Sequence, residues 1–138
     1  MASSAACPID DTPITNEKNT TDNPLDPTTF RFPEPLACPT ITIEFCDRCR
    51  WLPRATWVQT ELFLTFPPPK IGCISLLPRN TEDASGRFRV WLSKDREAEP
   101  ILLWDRKTEG GFPELKVLKQ RLRDHVSPGQ SLGHSDKK

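Results

Sequence analysis

The chain has 138 residues, 36% of them hydrophobic, with five cysteines and 19 basic residues matched by 19 acidic ones. That length allows one small domain plus a tail, and the cancelled charge gives no support for nucleic-acid binding. No run approaches the roughly 18 consecutive apolar residues that a membrane span needs, and the start, Met1 to Pro8, has neither the basic segment nor the apolar core of a secretory signal.

The zero balance hides an asymmetry. Residues 1–40 hold six acids (Asp10, Asp11, Glu17, Asp22, Asp26, Glu34) against two bases (Lys18, Arg31), about −4, which leaves about +4 on the remainder. Residues 1–38 are rich in Pro, Thr, Asp and Asn and carry no apolar period. Such a composition cannot offset the entropy of ordering, so a disordered acidic tail is expected there. Without an export signal the expected compartment is the cytoplasm, where Cys7, Cys38, Cys46, Cys49 and Cys73 stay mostly as thiols. Cys7 and Cys38, each followed by a proline in the tail, read as incidental exposed thiols.

The folded domain is expected over residues 39–126. From Thr40 to Phe45, Ile41, Ile43 and Phe45 alternate with Thr42 and Glu44, the pattern of a strand. It runs into Cys46-Asp47-Arg48-Cys49. Beyond that, Trp51, Ala55, Val58, Leu62 and Phe66 recur every three or four residues, as on a helix. Pro53 leaves two readings of that helix. If it opens at Asp47, the proline removes a backbone bond and kinks it, at a cost of about 3 kcal/mol; if it opens only at Pro53, Cys49 lies in an irregular turn.

Pro67, Pro68 and Pro69 end the helix. Ile71 to Leu77 is a mostly apolar run, expected as a strand buried on both faces, with Cys73 a small buried apolar residue. Pro78 to Gly86 is a polar loop. Phe88, Val90 and Leu92 alternate with Arg87, Arg89 and Trp91 in a third strand. A turn over Ser93 to Pro100 leads to a fourth strand, Ile101 to Trp104, and a second loop spans Asp105 to Gly111. Pro113 suits the first position of a closing helix, whose stripe is Leu115, Leu118, Leu122 and Val126. Residues 127–138 read as a disordered C-terminal tail, and the four tryptophans as core and sheet packing, with Trp51 beside the cysteines.

The order β-α-β-β-β-α specifies an α/β domain, a mixed four-stranded sheet with two helices, which is the minimal thioredoxin-like arrangement. A right-handed βαβ unit makes the first two strands parallel, so Cys46 and the Pro78–Gly86 loop share one end of the sheet. The fourth strand returns the Asp105–Gly111 loop to that same end. Arg106, Lys107, Gly110 and Gly111 are therefore candidate walls of the cysteine site.

A strand, Cys-x-x-Cys and a helix form the layout of a thiol redox site. Free N–H groups and the dipole at a helix start favour thiolate at the first cysteine, and the thiolate is the nucleophile. Arg48, Arg50 and Arg54 add positive charge, which Asp47 opposes. Cys46 is expected to be the more exposed sulfur and to attack, with Cys49 resolving. No metal is expected. Structural zinc takes four ligands, often two Cys-x-x-Cys pairs, whereas Cys38, Cys73, His125 and His134 supply no second close pair; zinc shared across a dimer is the rival reading. His125, in the last helical turn, reads as a cation at a helix C-terminus.

Ile43-Glu44-Phe45-Cys46-x-x-Cys49-Arg50-Trp51, with Trp104-Asp105-Arg106-Lys107 and Gly110-Gly111-Phe112-Pro113-Glu114-x-Lys116-x-Leu118-Lys119-Gln120, resembles the selenoprotein W-like (Rdx) family over about residues 40–126. The resemblance implies a cytoplasmic thioredoxin-like redox protein without a bound cofactor, with glutathione as co-substrate and thiol or disulfide proteins as partners. In animals it also implies 14-3-3 proteins. Cys49 stands where vertebrate selenoprotein W carries selenocysteine. The expected function is thiol–disulfide redox chemistry in an antioxidant or redox-sensing role; the alternative is a redox-switched interaction module without turnover. Thioredoxins proper place a cis-proline before the third strand, where this chain has Arg87.

Overall fold

In the computed structural model, which describes residues 22–34 and 36–133, the domain runs β1 (Thr40–Cys46), α1 (Leu52–Thr65), β2 (Cys73–Arg79), β3 (Phe88–Ser93), β4 (Ile101–Asp105), a single helical turn α2 (Arg106–Glu109) and α3 (Leu115–Val126). The strands form one sheet in the order β2-β1-β3-β4. β1 and β2 are parallel, and the other neighbours antiparallel. This is the thioredoxin-like α/β arrangement expected from the order of elements.

The alternation along β1 decides which face the helices cover. Ile41, Ile43 and Phe45 lie fully buried with Phe88, Val90 and Leu92 of β3, and Ala55, Val58 and Leu62 of α1 and Leu118 and Leu122 of α3 complete that core. Thr42 and Glu44 project from the opposite face. There Glu44 is only 5% exposed, because Arg79, Arg87 and the Trp91 indole N–H all donate to its carboxylate.

Several local expectations change. β2 starts two residues later than the apolar run suggests and is an edge strand, with Ser75, Leu77, Pro78 and Arg79 exposed and Cys73 half-buried. Among the described residues its outer edge has no strand to pair with, which is why Pro78 is tolerated inside it. Pro53 is the second residue of α1; N–H groups of a first turn lack an intrahelical acceptor, so the proline opens the helix and does not kink it. α3 begins at Leu115 and leaves Pro113 outside. The reason is Phe112, which turns back onto Trp51 and Phe88; Glu114 stays extended (φ −78°, ψ 125°) to make that return. Trp57 is 56% exposed and so does not serve the core.

Ahead of β1, Pro27–Thr29 form one 3-10 turn capped by Asp26. Ala37 passes so close to Gly72 that a Cβ there would lie 2.6 Å from the Ala37 carbonyl oxygen. Cys38 is disulfide-bonded, contrary to the expected thiol. Cys7 and His134 lie outside the described residues.

Candidate functional site

β1 ends at Cys46, and both neighbouring strands hold the chain as it leaves the sheet. The Cys46 N–H donates to the Arg87 carbonyl at 2.8 Å, and the Asp47 N–H to the Arg79 carbonyl at 2.7 Å. The chain then curls tightly. The Arg50 N–H returns to the Asp47 carbonyl at 2.9 Å, and Arg50 adopts the left-handed region, φ +62°, which costs a side-chain-bearing residue roughly 1 kcal/mol or more. The curl brings the Cys49 thiol to donate to Cys46 Sγ at 2.8 Å. That is close enough for a disulfide to form with a small adjustment, since the bond itself needs about 2.05 Å.

Exposure reverses the expectation. Cys46 is completely buried, and Cys49 is the partly exposed sulfur. The donors differ too, because α1 opens only at Leu52, six residues past Cys46. Burial pushes the Cys46 thiol up, but hydrogen bonds from the Cys49 thiol and from the backbone N–H groups of Gly86, Cys49 and Arg48 hold it below its ordinary value. The bond that Cys49 gives to Cys46 pushes Cys49 up, aided by burial and by the Cys46 charge, while the Gly86 N–H and Arg106 oppose. The first proton lost belongs to the pair. Its charge settles on Cys46 and its remaining proton on Cys49.

Gly86 therefore works from the loop ahead of β3, where thioredoxins place their cis-proline. It needs φ +77°, and a Cβ there would sit 3.3 Å from Lys107 Cε. Its N–H faces the sulfurs, and its carbonyl accepts from Arg106 Nη1 at 3.3 Å. The Arg106 guanidinium lies 4.8 Å from the Trp51 ring and 5.3 Å from the Phe112 ring. Its Nε is buried and has no hydrogen-bond partner among the described residues. Trp51 meets Phe112 edge-on at 4.8 Å, Phe88 meets Phe112 at 5.4 Å, and Arg54 lies 4.0 Å above the Phe112 ring.

Of the residues singled out in the sequence, Cys46, Cys49, Trp51, Arg106 and Lys107 come together. Asp47, Arg48 and Arg50 sit exposed in the turn, where Arg48 contributes its backbone N–H. Gly110 and Gly111 face open space, with nothing within 4 Å of where their Cβ atoms would be. Gly110, at φ +85°, closes α2, and the Gly111 carbonyl accepts from Trp104 Nε1 at 2.9 Å. Sequence reasoning missed Gly86 and Phe112. Topology had already carried the Pro78–Gly86 loop to this end of the sheet; Phe112 stood inside the Gly110-to-Gln120 block of the resemblance with no role attached to it. Among the described residues no three His, Cys, Asp or Glu side chains converge as metal ligands, and no helix is long and apolar enough to cross a membrane.

Comparison with known proteins agrees with this geometry. A selenoprotein W-related protein from Vibrio cholerae is 38% identical, with a TM-score of 0.53 over 64% of this chain and 96% of that one. A protein from Bordetella parapertussis is 41% identical, with a TM-score of 0.51 over 64% of this chain and 98% of that one. A comparison with curated proteins finds no match. The Rdx family model matches residues 40–124, from the first residue of β1 into α3 and so across the cysteine pair and its surroundings. The chain belongs to the Rdx family, the selenoprotein W-like proteins, in a Cys-x-x-Cys form.

Proposed function

We propose that the protein exchanges thiols and disulfides through Cys46 and Cys49. The observation that carries this is the 2.8 Å contact of two free sulfurs, one of them surrounded by donors that favour its thiolate. Exposure sets the order of events. Attack on a disulfide requires the nucleophilic sulfur to reach it, and Cys46 has no exposed surface. Cys49 passes its proton to Cys46 and attacks one sulfur of the incoming disulfide. The other sulfur leaves and takes up a proton, and Cys49 is left in a mixed disulfide. Cys46, again a thiolate, then attacks Cys49 Sγ and releases the second thiol. Overall the dithiol is oxidised to a disulfide and the incoming disulfide is reduced to two thiols. The order reverses the one expected from the sequence.

Glutathione suits the return step, because its carboxylates match the cations around the pair, and a cytoplasmic pool would keep the dithiol reduced. The test follows the reduced protein with oxidised glutathione, and then turnover coupled to glutathione reductase. The expected result is one Cys46–Cys49 disulfide per chain, with turnover lost on replacing either cysteine by serine. A pair that stays reduced would remove the proposal. Stoichiometric oxidation without turnover would leave the interaction module in its place.

A further inference from the structure

Beside the cysteine pair the surface opens into a groove of about 370 Å³ between the start of α1 and the segment leading into α3. Pro53, Trp57, Phe88, Phe112 and Leu115 line it, and Arg54 stands among them. Trp57 leaves 56% of its surface in solvent, an unusual amount for a large aromatic. The groove is continuous with the redox site, because Phe112 forms its wall on one side and meets Trp51, two residues from Cys49, on the other. Its size is near the lower end of ligand pockets, roughly 300–1,000 Å³, room for one or two side chains.

Charge says what should fill it. Arg79, Arg87, Arg89, Lys119 and Arg121 each have a carboxylate partner. Arg54 in the groove, Arg106 and Lys107 beside the cysteines, and Arg48 and Arg50 exposed in the cysteine turn have none among the described residues. Asp47 is the only acid within the turn. Unpaired cations around an apolar slot fit an acidic segment with an apolar anchor.

We propose that this groove docks the polypeptide carrying the target disulfide. An aromatic or branched apolar side chain beside the target cysteine enters between Trp57 and Phe112, and flanking carboxylates meet Arg48, Arg50 and Arg54. This rests on the thiol–disulfide reading and gives it a substrate class: disulfides in acidic protein segments. Cys49 displaces one target sulfur as a thiol, and Cys46 then releases the other, so the target gains the two electrons the pair loses.

The test measures oxidation of the reduced full-length protein by three disulfides. One is a peptide with phenylalanine beside its cysteine and glutamates flanking, one a peptide with glycine and lysines in those places, and one hydroxyethyl disulfide. The acidic aromatic peptide should react about tenfold faster than the lysine peptide, and added salt should erase much of that gap. Trp57→Ala should lower the ratio of the acidic-peptide rate to the hydroxyethyl disulfide rate about tenfold, as truncation of an aromatic anchor does, and Arg54→Gln should lower it in the same direction. Equal rates for the two peptides, or a ratio unmoved by Trp57→Ala, would overturn the docking site while leaving the redox reading intact. Failure of all three disulfides to oxidise the pair would overturn both.

Discussion

Cys46 ionises early because hydrogen bonds outweigh its burial, and each bond can be removed separately. In Cys49→Ala the thiol donor is gone, so Cys46 should titrate closer to an ordinary thiol, near 8.5. In Cys49→Ser a hydroxyl still donates, and the value should stay lower. The NMR Cβ shift of Cys46 against pH reads both without needing access to the buried sulfur; equal curves would show that the Cys49 bond contributes nothing. Gly86→Ala should destabilise the domain by about 1 kcal/mol, because φ +77° is unfavourable for alanine, and should raise Cys46 as the Gly86 N–H shifts. Thermal melts and the same NMR titration check the pair of effects. At this scale the motif was legible, since two cysteines three residues apart are a feature of the chain itself. Their relative exposure was not. It depends on the left-handed Arg50 and on Gly86 from a distant loop, and an arginine carries no signal for either.

Among the elements, β1 bears most of the weight, and Glu44 fastens it to its neighbours. Its carboxylate lies 2.9 Å from Arg79 Nε, 3.1 Å from Arg87 Nη1 and 3.0 Å from Trp91 Nε1. Burial raises the Glu44 carboxyl, but the Trp91 and arginine bonds prevail and hold it below the usual value. Glu44→Leu strands these donors and should cost about 3 kcal/mol, or roughly 15 °C in Tm for a domain of this size. A carboxyl that is more acidic folded than unfolded contributes its stability above the unfolded value and loses it as pH falls through the folded one. The stability difference between the wild type and Glu44→Gln should therefore shrink as pH drops below about 4.5; urea melts across that range would show a constant difference if Glu44 were not the source. Pro53→Ala should change stability by less than about 1 kcal/mol. A gain near 3 kcal/mol would mean the proline strains α1 after all. Strand and helix identities were readable from periods of two and 3.6. Position within the sheet was not, because periodicity reports which side of an element is covered and not what lies beyond its edge. That is why β2 read as a strand buried on both faces. The start of α3 was misplaced for a related reason: the contact that delays it, Phe112 on Trp51 and Phe88, is tertiary.

For the whole molecule, one topological fact assembles the site. The parallel β1–β2 pair and the returning β4 bring three connections to one end of the sheet: the cysteine turn, the loop bearing Gly86, and α2 bearing Arg106. This was legible from the order of elements alone. Arg106 joins all three through the Gly86 carbonyl and the Trp51 and Phe112 rings. Arg106→Gln should raise Cys49 further, since the arginine charge lowers it, and should slow reaction with an external disulfide while leaving the circular dichroism of the fold intact. An unchanged rate would separate Arg106 from the chemistry.

The central claim is that charge rests on one sulfur and access belongs to the other. Trapping with a peptide disulfide, followed by mass spectrometric mapping, tests it most directly. Cys46→Ser should accumulate a stable mixed disulfide on Cys49, and Cys49→Ser should accumulate little at the buried Cys46. A mixed disulfide on Cys46 in Cys49→Ser, with none on Cys49 in Cys46→Ser, would contradict the account.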